Sequence, residues 1–209
     1  MKRIILLLLF LKGSLMAIEE PAYQVIQKNE IYEVRKYAPF IVAQTEVSGS
    51  FDAAGSKAFR ILFNYISGEN QQKENIQMTA PVIQQNGTAN GIKIDMTAPV
   101  IQEMGESRTE VSIYSFVMPE SFTLATLPEP LDKRVTLKQI PPRTVAVLKY
   151  SGSWSELRYK EKESILLKAL NDDGIKIIGK PEFARYNSPF SLWFLRRNEI
   201  LIEIEYLDQ

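Results

Sequence analysis

What most restricts this chain is that it repeats its own order of strands and turns at a fixed distance. Ser48-Gly49-Ser50-Phe51 corresponds to Ser151-Gly152-Ser153-Trp154 at an offset of 103 residues, and the same offset pairs Pro39 with Pro142, Val42 with Val145 and Ala43 with Ala146. Tyr23 to Tyr37 and Phe40 to Val47 are rich in β-branched and aromatic residues, as strands are. Val135 to Ile140 and Thr144 to Tyr150 supply the strands of the second half. After each Ser-Gly-Ser-aromatic signal comes a helical pattern, Phe51 to Ile66 and Trp154 to Leu170, with the serine before the aromatic residue as N-cap. Further extended segments follow: one or both of two Met-Thr-Ala-Pro-Val copies and then Thr109 to Met118 in the first half, and Ile175 to Ile178, Glu182 to Tyr186 and Asn198 to Tyr206 in the second. Ile200, Ile202 and Ile204 alternate with Leu201, Glu203 and Glu205, the period of a strand with one buried face. Two strand–strand–helix–strand–strand units, about 23–118 and 135–206, predict an antiparallel sheet with helices packed on it, an α+β fold. Phe122 to Asp132, with Pro128 and Pro130, is the loop between them. Half a chain of this size would struggle to bury a core alone, so 18–209 is expected to form a single domain.

A second, shorter repeat lies inside the first unit. Ile76-Gln77-Met78-Thr79-Ala80-Pro81-Val82-Ile83-Gln84 returns 18 residues later as Ile94-Asp95-Met96-Thr97-Ala98-Pro99-Val100-Ile101-Gln102, with eight of nine positions identical. Asn86-Gly87 between the copies is a strong turn dipeptide. The proline in each copy predicts an edge or bulged strand.

Two absences remove chemistry outright: there is no histidine and no cysteine. Neither a Ser-His-Asp nor a Cys-His site can be assembled, structural zinc lacks its usual ligands, and no disulfide can form. Lys+Arg and Asp+Glu are both 25, which gives no basic footprint for nucleic acid. At the N-terminus, Lys2 and Arg3 precede an apolar run from Ile4 to Leu11, and Gly13, Ser14 and Ala17 are small. The run is too short to span a bilayer, which takes ~20 residues. It therefore reads as a signal peptide over 1–17, cleaved near Ala17, and predicts a periplasmic or secreted protein.

Five motifs carry a family resemblance: Ile-x-Met-Thr-Ala-Pro-Val, Tyr65-Ile66-Ser67-Gly68-Glu69-Asn70, Thr126-Leu127-Pro128-Glu129-Pro130, Tyr186-Asn187-Ser188-Pro189-Phe190 and Arg196-Arg197-Asn198-Glu199. In that order, from about Tyr23 to Tyr206, the chain resembles the SOUL haem-binding family. The resemblance implies a distorted antiparallel β-barrel of two pseudo-symmetric halves flanked by two helices, an architecture shared with gyrase-inhibitor-like small-molecule-binding domains. It also implies non-covalent binding of haem or another tetrapyrrole against the first helix, with a basic residue near a propionate, and the doubled motif resembles bacterial members. Where the family's basic residue would align, this chain has Ser56, with Lys57 and Arg60 nearby.

At 100° per residue, Phe51, Ala54, Ala58, Ile61, Leu62 and Tyr65 form a complete core-facing stripe on that helix. Phe59 and Phe63 fall outside it at i, i+4, bordered by Gly55 and Ile66, with Ser56, Lys57 and Arg60 on the polar side. Phe59, Phe63, Lys57, Arg60 and Ile66 are therefore the candidate residues for a flat amphipathic ligand with carboxylates. Alternatively, the helix lies in a groove and buries more than one face. Met78 and Met96 are candidate thioether ligands or core filler. Arg196 and Arg197 are candidate anion binders or surface ion-pair partners, for example with Glu199. Glu161 and Glu163 point to different faces and make no convincing acid/base pair, and Trp154 and Trp193 read as core or barrel-mouth residues. The leading expectation is a tetrapyrrole carrier, buffer or scavenger of the bacterial envelope, and no enzyme. The alternatives are a binder of other small amphipathic molecules in a cleft between the halves, or a hydrolase in which a Glu and a Tyr converge in a pocket.

Overall fold

A computed structural model of the chain describes residues 19–72, 91–105, 111–187 and 191–206. Its strands are β1 (Tyr23–Lys28), β2 (Glu33–Tyr37), β3 (Phe40–Ser48), β4 (Asn70–Gln71), β5 (Val100–Glu103), β6 (Val111–Val117), β7 (Glu129–Pro130), β8 (Thr136–Ile140), β9 (Arg143–Ser151), β10 (Glu182–Arg185) and β11 (Arg197–Glu203). The helices are α1 (Phe51–Ile66) and α2 (Glu156–Asp172), with a 3₁₀ turn at Trp193–Leu195. Nine strands form one curled antiparallel sheet, a half-barrel, in the order β1-β2-β9-β11-β10-β5-β6-β3-β8. The fold is α+β, as expected.

Outward from the β10–β5 seam, the order reads the same in both directions for four strands, as far as β2 on one side and β8 on the other, and β1 adds one more beyond β2. The fourth strand out on each side crosses between halves: β2 lies on β9, and β8 lies on β3. Val34 faces Ala146 while Leu137 faces Ala43, the same register at the 103-residue offset. Alanine at 43 and 146 keeps the sheet surface low beneath each helix, and both are fully buried. α1 packs on β3 and β6 through Ala54, Ala58, Ile61, Leu62 and Tyr65. α2 packs on β9 and β11 through Tyr159, Leu166, Ala169 and Leu170. The opposite face is also filled, with Val145, Val147 and Leu201 packed with Tyr37 and Tyr186. Hence Leu201 is as buried as Ile200 and Ile202, and β11 is apolar on both faces over that stretch.

Several local expectations are corrected. Tyr23 to Tyr37 is a hairpin of two strands, because the Asn29 side chain accepts hydrogen bonds from the Ile31 and Tyr32 amides and turns the chain. Val100, after Pro99, begins a central strand and not an edge one, since proline just ahead of the first ladder position withholds no needed donor. The first Met-Thr-Ala-Pro-Val copy, Met78 and the 1–17 segment lie outside the described residues. Glu129–Pro130, expected in a loop, pairs with β4. Ile175 to Ile178 contributes one bridge, Ile177 to Ile204, and no strand. Both Ser-Gly-Ser turns place their glycine at positive φ, Gly49 at 141° and Gly152 at 131°, which a side chain would strain. Ser50 caps α1 without a side-chain hydrogen bond, whereas the α2 cap is Ser155, which accepts from the Arg158 amide, and α2 starts two residues later than expected.

Candidate functional site

The six-residue stripe read from the sequence is the buried face of α1. Turning beyond it, the helix presents Asp52, Gly55, Ser56, Phe59, Arg60 and Phe63 to a cleft of about 520 Å³, closed on the other side by Trp154 and Arg185. That volume lies within the range of small-molecule sites, roughly 300–1,000 Å³. Phe59 and Phe63 are stacked with centroids 5.7 Å apart and planes 14° apart, and Phe59 meets Phe116 edge-on at 5.4 Å. Phe59 is half-buried while Phe63 is 43% exposed, so one ring anchors the wall and the other is available. Gly55 thins the helix where it crosses the sheet: a Cβ there would sit 3.6 Å from the Arg185 guanidinium and 3.8 Å from the Tyr114 ring. A narrower crevice of about 50 Å³ continues beneath it between Tyr114, Phe116 and Asn187.

Arg185 reaches the cleft from the end of β10. Its guanidinium lies over the rings of Phe183, Phe51 and Trp154 at 4.7, 5.2 and 5.5 Å. One nitrogen donates to Gln102 Oε1 at 2.7 Å, while Nε has no hydrogen-bond partner and no described carboxylate forms an ion pair with it. Burial pulls its pKa below the ordinary arginine value, and the Asp52 charge in the same cleft does not offset it, although the group stays protonated. The neighbouring Tyr114 hydroxyl is likewise buried and unpartnered. Trp154 is held over the cleft from behind: its indole N–H donates to Asn198 Oδ1 at 2.8 Å, and Arg196 lies 4.3 Å from its ring centroid.

Of the residues expected here, Phe59, Phe63 and Arg60 line the cleft, as does Ser56, while Lys57 is exposed and does not. Ile66 is corrected to a core residue. It is four positions after Leu62 on the buried face, and its carbonyl accepts the Ile94 amide at 2.8 Å. Met96 is exposed away from the cleft, and Trp193 is 58% exposed, neither core nor cleft wall. Glu161 and Glu163 pair with Lys162 and Lys160 on the α2 surface. Arg185 was missed because no periodicity marks which way a lone arginine in a four-residue strand will face.

A Glu and a Tyr do converge, but in a sealed place. Tyr186 donates to Glu199 at 2.7 Å, and the same carboxylate accepts from Arg35 at 2.9 and 3.2 Å and from Arg197 at 2.9 Å. Glu199 is fully buried and Arg35 is 1% exposed, so two guanidiniums neutralise this carboxylate away from any substrate. Burial, with the Glu199 charge second, raises the pKa of the Tyr186 phenol far above that of an ordinary tyrosine. Among the described residues no cluster of three or more Asp or Glu side chains is placed to hold a metal ion.

Comparison with known proteins gives consistent matches. The profile of the SOUL heme-binding protein family matches residues 18–203. Human Heme-binding protein 2 is 29% identical over 178 residues, covering 80% of this chain and 79% of that protein. Its mouse counterpart is 28% identical over 184 residues, covering 82% and 81%. The C-terminal domain of EcmrR shares the fold, with a TM-score of 0.59 at 12% identity over 88% of this chain and 99% of that one. So does a hydrolase from Listeria innocua, with a TM-score of 0.53 at 10% identity over 86% and 94%. At such identities the likeness concerns architecture alone.

Proposed function

The chain belongs to the SOUL heme-binding protein family, and we propose that it binds haem or a related tetrapyrrole in the α1 cleft. The observation that carries this assignment is Arg185, a largely buried guanidinium with an unpartnered Nε at the foot of a cleft walled by aromatic rings. A flat ring system with acidic substituents suits both parts. Phe59, Phe63 and Trp154 offer π faces and apolar edges to the macrocycle, while Arg185 receives one carboxylate deep in the cleft and Arg60 a second at its rim. An iron-bearing ring would bring redox-active iron, but this chain has no imidazole or thiolate to ligate it. Affinity then rests on stacking, burial and carboxylate pairing. Reversible carriage or buffering follows from such a site better than fixed catalysis does.

Titration with haemin is expected to give a saturable Soret shift and quenching of Trp154 emission; no Soret change would overturn the assignment. The carboxylate half of the proposal is tested by comparing protoporphyrin with its dimethyl ester. The free acid should bind about tenfold more tightly for each carboxylate paired, the worth of one charge-assisted hydrogen bond, and Arg185→Gln should remove the deep carboxylate's share while leaving that of Arg60. Work in the bacterial envelope forms part of this proposal and rests on the N-terminal pattern of Lys2, Arg3 and the 4–11 apolar run. Mass spectrometry of the protein recovered from a bacterial host is expected to show loss of 1–17; an intact N-terminus would overturn it.

A further inference from the structure

Three residues that are poor choices for folding meet at one point beneath α1. Gly55 is in the helix interior, where glycine costs stability against alanine. Packing does not demand it, since a Cβ there would meet its nearest neighbours at 3.6 and 3.8 Å, ordinary contact distances. Those neighbours are Arg185 Nη1 and the ring and hydroxyl of Tyr114. Tyr114 is 2% exposed, and its hydroxyl has no hydrogen-bond partner among the described residues. The Arg185 Nε is likewise buried and unpartnered, while Nη2 is held by Gln102 Oε1. Each buried donor without an acceptor carries its full desolvation cost. Groups kept at the expense of folding stability, gathered at one place, mark a binding function.

The sheet sets this arrangement. Arg185 of β10 faces Val100 of β5, which faces Phe116 of β6, and Tyr114 lies two residues from Phe116 on the same face. Gly55 lies at the junction where the cleft of about 520 Å³ narrows into the crevice of about 50 Å³. The crevice has apolar walls that include Val100 and Phe116, and its polar lining is Arg185, Tyr114 and Asn187. Asn187 uses its Oδ1 to accept the Arg197 amide at 2.6 Å, so the end it has left is its donor nitrogen. No carboxylate lines the crevice. Asp52 lines the outer cleft, where it is exposed. Donors without acceptors call for an anion that brings its own acceptor oxygens. One water molecule needs roughly 10–15 Å³ of cavity, so the crevice fits a carboxylate with part of its chain, but no ring.

We propose that this crevice is a carboxylate subsite, formed by Arg185, Tyr114 and Asn187, and that Gly55 is the specificity-determining residue that admits the acid. The ligand class it selects is a flat apolar body carrying its carboxylate on a short flexible arm. The body stays in the cleft against Phe63 and Trp154, and the arm passes under Gly55. A carboxylate fixed directly to the ring does not reach. This rests on the cleft being the ligand site and goes past it, because it names what the site selects, whether or not the ring is a tetrapyrrole.

Pyrenebutyrate, pyrenebutanol and pyrenecarboxylate present one ring system with an acid on an arm, an alcohol on the same arm, and an acid without an arm. Binding of each to the full chain is read from energy transfer between tryptophan and pyrene. The butyrate is expected to bind at least about tenfold more tightly than the butanol, the worth of one charge-assisted hydrogen bond, and pyrenecarboxylate to lack most of that advantage. Gly55→Ala, which places a methyl group at the mouth of the crevice, should lower the butyrate-to-butanol ratio several-fold. So should Tyr114→Phe, which removes only the unpartnered hydroxyl. Both variants should melt no lower than the wild-type chain, because each replaces a group unfavourable for folding. A ratio near one in the wild-type chain, or a ratio that neither variant changes, would overturn the subsite. So would a lower melting temperature for both variants, which would show that Gly55 and Tyr114 serve packing. Haemin binding with a ratio near one removes the subsite and leaves the tetrapyrrole proposal standing. A Gly55-dependent ratio without any Soret change keeps the subsite and removes the tetrapyrrole.

Discussion

On the sheet, the α1 half and the α2 half match at an offset of 103: Ala43 and Ala146 lie under the helices, and Val42 and Val145 face the other way. On the helices the match moves by two residues, since α1 begins at Phe51 and α2 at Glu156. With that shift Ala54, Ile61 and Tyr65 correspond to Tyr159, Leu166 and Leu170, all buried. Phe59 and Phe63 then correspond to Ser164 and Lys168, which turn to helix carbonyl and Asp172 for partners. The two additional residues ahead of α2 leave Trp154 in a loop, outside the helix, where it is able to fold over the cleft of the opposite half. One scaffold used twice therefore yields one cleft, because one helix has an apolar strip outside its core face and the other half contributes the lid.

The strongest way to break the comparison is at the crossed outer strands. Arg35 and Lys138 are equivalent at the 103-residue offset, but Arg35 is buried against Glu199 and Lys138 is exposed. Arg35→Met should cost about 2–3 kcal/mol of stability in urea denaturation, by removing one of the two guanidiniums that bond the buried Glu199 while Arg197 remains, whereas Lys138→Met should stay within about 0.5 kcal/mol. Next come the helical strips. Phe59→Ala with Phe63→Ala should weaken haemin binding by about 2 kcal/mol, or about 30-fold, while Ser164→Ala with Lys168→Ala leaves it unchanged. Equal losses from the two pairs would show that the ligand does not distinguish the halves. Trp154→Ala should cost about tenfold in the same titration, by removing one aromatic wall.

The smallest effect is expected at the seam, where Glu103 of β5 faces Glu182 of β10. Arg143 pairs bidentately with Glu182, so Glu103 is left the less favoured of the two. Burial, and next the Glu182 charge, raise the Glu103 pKa. Because the folded value lies above the unfolded one, the stability this group contributes is present at low pH and lost as pH rises through the folded value. Glu103→Gln should therefore raise the melting temperature by a few degrees near neutral pH and have no effect in acid. A thermal scan series across pH checks the sign.

Much of this was legible in the residues, for identifiable reasons. The α1 stripe is fixed by helical periodicity alone, and the α+β class follows from strands alternating with two helices. The cleft was legible on the α1 side, where Phe59 and Phe63 exceed what a core needs. It was not legible on the other side. The Ser-Gly-Ser-aromatic match made Trp154 look like the first residue of α2, although its indole is bonded to Asn198, far along the chain. Ile66 was placed on the strip because rotation alone does not reveal that Ile94 folds back to cover it.

The crossed outer strands also bear on how the chain acquires its structure in time. β2 is made early, but the strand it lies on, β9, follows only after the whole first unit, and Val34 waits for Ala146. Neither half can complete its own sheet first, so native pairings are predominantly non-local and folding is expected to be slow. A chain emerging in order from its N-terminus carries an unfinished sheet until the second unit appears.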